Sequence, residues 1–185
     1  MRSFLGISRW IRTSTFERFC SAHYGETMGS ILVLGLGNVL QGDDGVGVHI
    51  VRWLAGQAPM TGVTILDGGT IGASLLVELE GVDALLVADA VESGREAGQV
   101  TLFQGEAMDR LLTRPRAGSV HEAGLAELLD MARLLGCLPA RRALLGIQPQ
   151  TIAWGDALSP PLARSLPEAG YRARALLEEW RREDA

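Results

Sequence analysis

The chain has few aromatic residues, no excess of basic charge, little cysteine and no long apolar run, and each shortage removes a class of function. Aromatics make up 5% of the 185 residues, too few for the stacking platforms that hold single-stranded nucleic acid. Acidic residues outnumber Lys and Arg by 22 to 17, for a net charge of −5, so the basic footprint of a nucleic-acid binder is missing. The two cysteines, Cys20 and Cys137, are too few for a disulfide framework and too far apart for a cysteine-based metal motif. Cys137 reads as a small buried hydrophobe and the protein as a reduced, cytoplasmic one. No apolar stretch approaches the roughly 20 residues that span a bilayer. Neither an internal repeat nor a linker divides the sequence, whose length suits one domain with one core.

What is present describes a soluble globular protein: 47% hydrophobic and 21% charged residues. Residues 1–27 carry Arg2, Arg9, Arg12 and Arg18 among several Ser and Thr, but lack the apolar core and paired arginines of targeting peptides. They read as an N-terminal extension, disordered or upstream of the true start, and His23 within them is given no role. Met28-Gly29-Ser30-Ile31 has the look of a natural start, which puts a single domain at residues 28–185.

Along that domain, aliphatic runs alternate with helical patterns. Residues 30–37 form a continuous apolar run ended by glycine, the mark of a strand buried on both faces. Residues 46–56 have helical spacing, with Val46, Ile50, Val51 and Leu54 on one face and Gly56 as a stop. Residues 63–66 are a short strand. Thr70 is placed to cap a helix running to about Glu80 with Leu75, Leu76 and Leu79. Residues 83–88 are a third strand, and 99–104 a more alternating fourth at an edge. A helix over 120–135 carries Leu125, Leu128, Leu129 and Leu134, residues 142–147 are a fifth strand, and a last helix follows Pro160-Pro161. The Arg141-Arg142 pair reads as solvated surface. The alternation predicts a three-layer α/β/α sandwich around an open, mostly parallel five-stranded sheet with right-handed crossovers.

The acids are placed where such a sheet binds ligands. Asp43 and Asp44 follow the first strand, Asp67 ends the second and Asp89 ends the third, all on the carboxyl rim. Clustered carboxylates raise one another's pKa unless a cation or proton intervenes. A divalent metal relieves that repulsion, with His121 as a further nitrogen ligand, and mixed imidazole and carboxylate donors suit zinc or nickel rather than calcium. Taken singly, an aspartate after a strand is more often a cap or turn residue. Asp43 is the better candidate to cap the helix at Val46, which leaves Asp44 to face the crevice. Asp89, between apolar neighbours, has few structural reasons to be there. For His121 a ligand and a solvated helix start are equally open, and His49, inside a helix, reads as structural. Gly35-Leu36-Gly37 resembles the opening of a dinucleotide-binding fingerprint, with Asp67 at the ribose position. However, Leu40 stands where the third glycine belongs, and two carboxylates beside a helix N-terminus oppose a pyrophosphate.

These residues are similar, in order, to the motifs of the hydrogenase maturation proteases: ILVLGLGNVLQGDDGVGVHIV at 31–51, LDGGT at 66–70, LVADA at 86–90, HEAGL at 121–125, GIQP at 146–149 and LSP at 158–160. The resemblance spans about residues 30–180. It implies a monomeric cytoplasmic endopeptidase that removes the C-terminal extension from the large-subunit precursor of a [NiFe]-hydrogenase once nickel is inserted. The implied metal-contacting triad is Asp44, Asp89 and His121, with Asp67 a further acid near the site. Asp44 stands at a position that also takes Glu in the family, a shorter reach with the same charge. The nickel is expected to arrive with the substrate, dock on the triad and orient the scissile bond. Water activation stays open between a carboxylate base among Asp44, Asp67 and Asp89 and a metal-activated water. No Ser-His-Asp order or two-histidine metalloprotease helix is visible. The remaining alternatives are a non-catalytic nickel-binding assembly chaperone and a dinucleotide-binding oxidoreductase.

Overall fold

The computed structural model describes residues 29–70, 73–113 and 120–184, with the backbone alone for 73 and 120–123. The expected extension at 1–27 and the start at Met28 lie outside the described residues. Five strands, β1 (Ile31–Leu36), β2 (Val63–Gly69), β3 (Ala84–Ala90), β4 (Val100–Gln104) and β5 (Arg141–Ile147), form one sheet in the order β2-β1-β3-β5-β4. β2, β1, β3 and β5 are parallel, and β4 closes one edge antiparallel to β5. The helices are α1 (Val46–Ala55), α2 (Glu106–Leu112), α3 (Val120–Leu135) and α4 (Pro160–Glu183).

Alternate residues of the central strands serve two cores, which is why these strands read as unbroken apolar runs. Ile31, Val33, Leu86, Ala88 and Leu145 face α1 and α4, where Ile50, Val51, Leu54, Leu177 and Trp180 cover them. Leu32, Leu34, Leu36, Leu85 and Leu144 face the other way, against Met108 of α2 and Leu125, Leu128 and Leu129 of α3. The result is the expected three-layer α/β/α sandwich, with a mixed but mostly parallel sheet. Truncating one of the fully buried leucines to Ala is expected to cost about 2–5 kcal/mol.

Three local expectations need correction. The segment after Asp67 does not form an α-helix from Thr70: β2 continues to Gly69, and a 3-10 helix follows over Ala73–Leu79. Its repeat of about three residues sets Leu76 and Leu79 on one edge, facing the second core. Arg141 and Arg142 are half-buried rather than solvated. Arg142 forks onto Asp109 of α2 at 2.5 and 3.0 Å, while Arg141 donates to the Trp180 carbonyl and pairs with Glu183 and Asp184. Leu134 is 84% exposed, and Ala132 takes the buried place on α3. Helix α2 was not anticipated; it buries Met108 and Leu111 and supplies Asp109 to Arg142.

Candidate active site at the carboxyl rim

The chain leaves β1 for β2 through α1 on one face, then returns past β1 to β3 through the 3-10 helix on the other. The topological switch point therefore lies between β1 and β3, where open parallel sheets bind their ligands. Close packing seats the loop after β1 over that gap. A Cβ on Gly47 would lie 2.4 Å from the Leu36 carbonyl oxygen and 2.1 Å from that of Ala88, so only glycine lets α1 rest on both strand ends. Gly37 has φ +121° and would meet the Asp44 carbonyl oxygen, a backbone state that favours glycine. The glycines that resemble a dinucleotide fingerprint are thus used to bring backbone against backbone.

Asp44 sits in the 3-10 turn Asp43–Gly45 and is 3% exposed; its Oδ2 accepts the Asn38 N–H at 2.8 Å. The turn packs against β3. Asp89, 1% exposed, is the penultimate residue of β3, and its Oδ1 accepts the N–H of Ala90 at 2.8 Å. The backbone therefore places two buried carboxylates, one in the turn after β1 and one near the end of β3, beside the switch point.

Asp43 does not cap α1, which has no side-chain cap. It is 1% exposed and reaches across to the loop between β5 and α4, accepting the N–H groups of Gln150, Thr151 and Ser159 at 2.9, 3.2 and 2.7 Å. Adjacent aspartates thus divide the work: Asp43 fixes a loop, and Asp44 turns to the β1 side. Asp67 stands one strand further out, in register with Gly35. Its Oδ1 accepts the Gly69 N–H at 3.1 Å and its Oδ2 pairs with Arg52 of α1 at 3.0 Å. Both partners of that pair are exposed, so it contributes no more than about 1 kcal/mol.

His121 lies in the first turn of α3. α3 immediately precedes β5, which begins at the opposite rim, and its 16 residues span about 24 Å. The backbone thus returns the first turn of α3 to the carboxyl-rim end of the sheet. The His121 side chain lies outside the described residues. Among the described residues no three His, Cys, Asp or Glu side chains stand within reach of one ion. His49 of α1 is half-buried and its Nε2 has no partner among the described residues. Burial first, and the Arg52 charge second, hold its pKa below the usual histidine value.

One rim residue escaped the sequence reading. Gln148, 6% exposed, follows β5 directly. Its Oε1 accepts the Ser93 N–H and hydroxyl and the Arg95 N–H at 2.8, 2.9 and 3.3 Å, while its Nε2 donates to Glu92 at 2.8 Å. It ties the loop after β3 to the end of β5. The available signal was a lone amide at the end of an apolar run, where burial costs free energy unless every polar atom is satisfied.

The family model for hydrogenase maturation proteases matches residues 48–174, a span that includes Asp67, Asp89 and His121 and begins after Asp44. The chain is 39% identical over 152 residues to the hydrogenase expression/formation protein HupD of Bradyrhizobium diazoefficiens, covering 81% of this chain and 79% of that one. It is 35% identical over 151 residues to the hydrogenase 2 maturation protease of Escherichia coli, covering 80% and 91%. Among solved structures it is similar to the hydrogenase maturating endopeptidase HybD from E. coli, with a TM-score of 0.76, 34% identity, and 81% and 93% of the two chains covered. It is also similar to the [NiFe] hydrogenase maturation protease HybD from Thermococcus kodakarensis, with a TM-score of 0.68, 29% identity, and 80% and 98% covered.

Proposed function

The chain belongs to the hydrogenase maturation protease family, and from that premise we propose that it removes the C-terminal extension of the nickel-loaded large-subunit precursor of a [NiFe]-hydrogenase. The observation that carries this reading is the pair of buried carboxylates, Asp44 and Asp89, at the gap between β1 and β3. Carboxylates turned toward a switch point suit a cationic ligand and repel a phosphate. In this reading the nickel belongs to the substrate. Asp44, Asp89 and His121 contact it and so bring the neighbouring peptide bond to the rim, where orientation removes a large part of the hydrolytic barrier. The hydrolysis is of the carboxylate type, with Asp67 or one of the two buried aspartates taking the proton of the attacking water.

The working form is a cytoplasmic monomer. No helix among the described residues is long and apolar enough to cross a membrane. A nickel-binding chaperone would share the same acidic rim but leave the precursor whole, so cleavage separates the two readings. Mass spectrometry of the precursor, with and without nickel, after incubation with the protein is the test. Loss of a C-terminal peptide from the nickel-loaded form alone is expected. Equal trimming of both forms would remove the metal-reading role, and an intact loaded precursor that still binds would favour the chaperone.

A further inference from the structure

Two of the loops at the carboxyl rim carry large apolar side chains in water. Leu40, in the loop after β1, is 55% exposed; Ile152 and Trp154, in the loop after β5, are 43% and 83% exposed. The loops are joined to each other: Gly155 N–H donates to the Leu40 carbonyl at 3.0 Å, Gly42 N–H donates to the Gly155 carbonyl at 2.8 Å, and Gly42 bridges Ile152. Asp43 fixes the second loop through three amides, and the next residue is Asp44. The exposed apolar residues and the buried carboxylates therefore stand on the same pair of hydrogen-bonded loops. A tryptophan held in water on a fixed loop is the kind of anchor that dominates binding energy when it is covered.

We propose that Leu40, Ile152 and Trp154 form a platform for an extended apolar segment of the precursor, next to the bond that is cut. The inference rests on the endopeptidase reading above and names where its substrate chain lies. An endopeptidase must hold the chain beside the scissile bond, and this patch is continuous with the rim where that bond must come. Its size selects the occupant. A stable protein interface engages roughly 20–30 residues a side, far more than three side chains, so a second copy is excluded as a lasting partner of this patch alone. One or two apolar side chains of an extended strand fit it. The acids beside it hold the metal-bearing part of the substrate, and the platform supplies the apolar contact that carboxylates cannot.

The experiment is steady-state cleavage of the nickel-loaded precursor by wild type, Trp154→Ala, Trp154→Phe and, as a remote exposed control, Leu134→Ala. Trp154→Ala is expected to raise KM about tenfold with kcat nearly unchanged. Trp154→Phe should recover most of the loss, and Leu134→Ala should behave as wild type. An unchanged KM in Trp154→Ala overturns the proposal, as does a fall in kcat alone, which would mean that the loop acts by placing Asp43 and Asp44. Sedimentation showing a wild-type dimer that Trp154→Ala abolishes would give the patch to a second copy instead. If wild type leaves the loaded precursor whole, the endopeptidase reading fails. Binding of the same variants to the precursor then decides the platform: about tenfold weaker binding by Trp154→Ala keeps it, and equal binding removes it.

Discussion

The two rims of the sheet treat charge differently. At the amino rim, guanidinium groups are matched to carboxylates: Arg142 forks onto Asp109, and Arg141 joins Glu183 and Asp184. At the carboxyl rim, Asp43, Asp44 and Asp89 each accept backbone N–H groups. An ion pair cancels a carboxylate's charge while it holds it. A backbone amide positions the carboxylate by a directional bond to the loop or strand end beside it. The first arrangement ties helices to the start of β5, and the second fixes the acids along the rim that is proposed to bind substrate. Asp67, paired with Arg52 at the surface, lies between the two.

The sharpest break in this comparison is expected from Asp89→Asn. The side chain keeps its size and its acceptor for Ala90 N–H, so the protein should still fold while processing falls at least about 100-fold. A variant that cuts the precursor at the wild-type rate would take Asp89 out of the reacting set. Arg142→Ala at the opposite rim should do the reverse. It removes both guanidinium hydrogen bonds to Asp109, leaving only the longer Arg133 pair at 3.8 Å, and is expected to cost about 1–3 kcal/mol in urea unfolding, with little change in kcat.

Acid titration extends that prediction. The hydrogen bond from Arg142 holds the Asp109 carboxyl below the usual carboxylate range, against the opposing effect of burial. A depressed carboxyl stabilises the fold above its unfolded value and loses that contribution as pH falls through the lower folded one. The gap in stability between wild type and Arg142→Ala should therefore be full at neutral pH and close in acid. A gap that is constant down to the acid limit would assign the cost to lost packing. The smallest effect concerns His49. Its pKa is lowered by burial and by Arg52, so stability should decline as pH falls through the ordinary histidine value near 6.5. Replacing it by Leu also removes a buried nitrogen that has no partner among the described residues. His49→Leu should unfold later than wild type at pH 5 and differ less at pH 8, while a larger advantage at pH 8 would contradict this assignment.

Much of the architecture was legible because doubly buried strands leave little room for polar residues, and the apolar runs at 31–36, 84–88 and 143–147 announce themselves. The rest was hidden for physical reasons. Seven-residue α2 is too short for a periodic pattern to stand out from the loop around it. The 3-10 helix at Ala73–Leu79 uses leucines at spacings that suit an α-helix equally well. Arg141 and Arg142 look like surface until the partners 33 and 43 residues away fold onto them. At the site, the strand-end positions of Asp44, Asp67 and Asp89 could be read from the sequence. What could not be read was the structural task of Asp43, expected to cap the helix at Val46, since its amide partners lie more than 100 residues downstream. Gln148 was hidden for the same reason, with its partners near Ser93 set by contacts across the sheet.

That division between neighbours offers the most direct test. Asp43→Asn and Asp44→Asn would be compared side by side for processing of the nickel-loaded precursor and for thermal stability. Asp44→Asn is predicted to fold as wild type and fail to process. Asp43→Asn should still process, with stability lowered by about 1–3 kcal/mol as the amide-held loop loosens. A stable, inactive Asp43→Asn beside a fully active Asp44→Asn would contradict the assignment of the buried carboxylates at the β1/β3 gap.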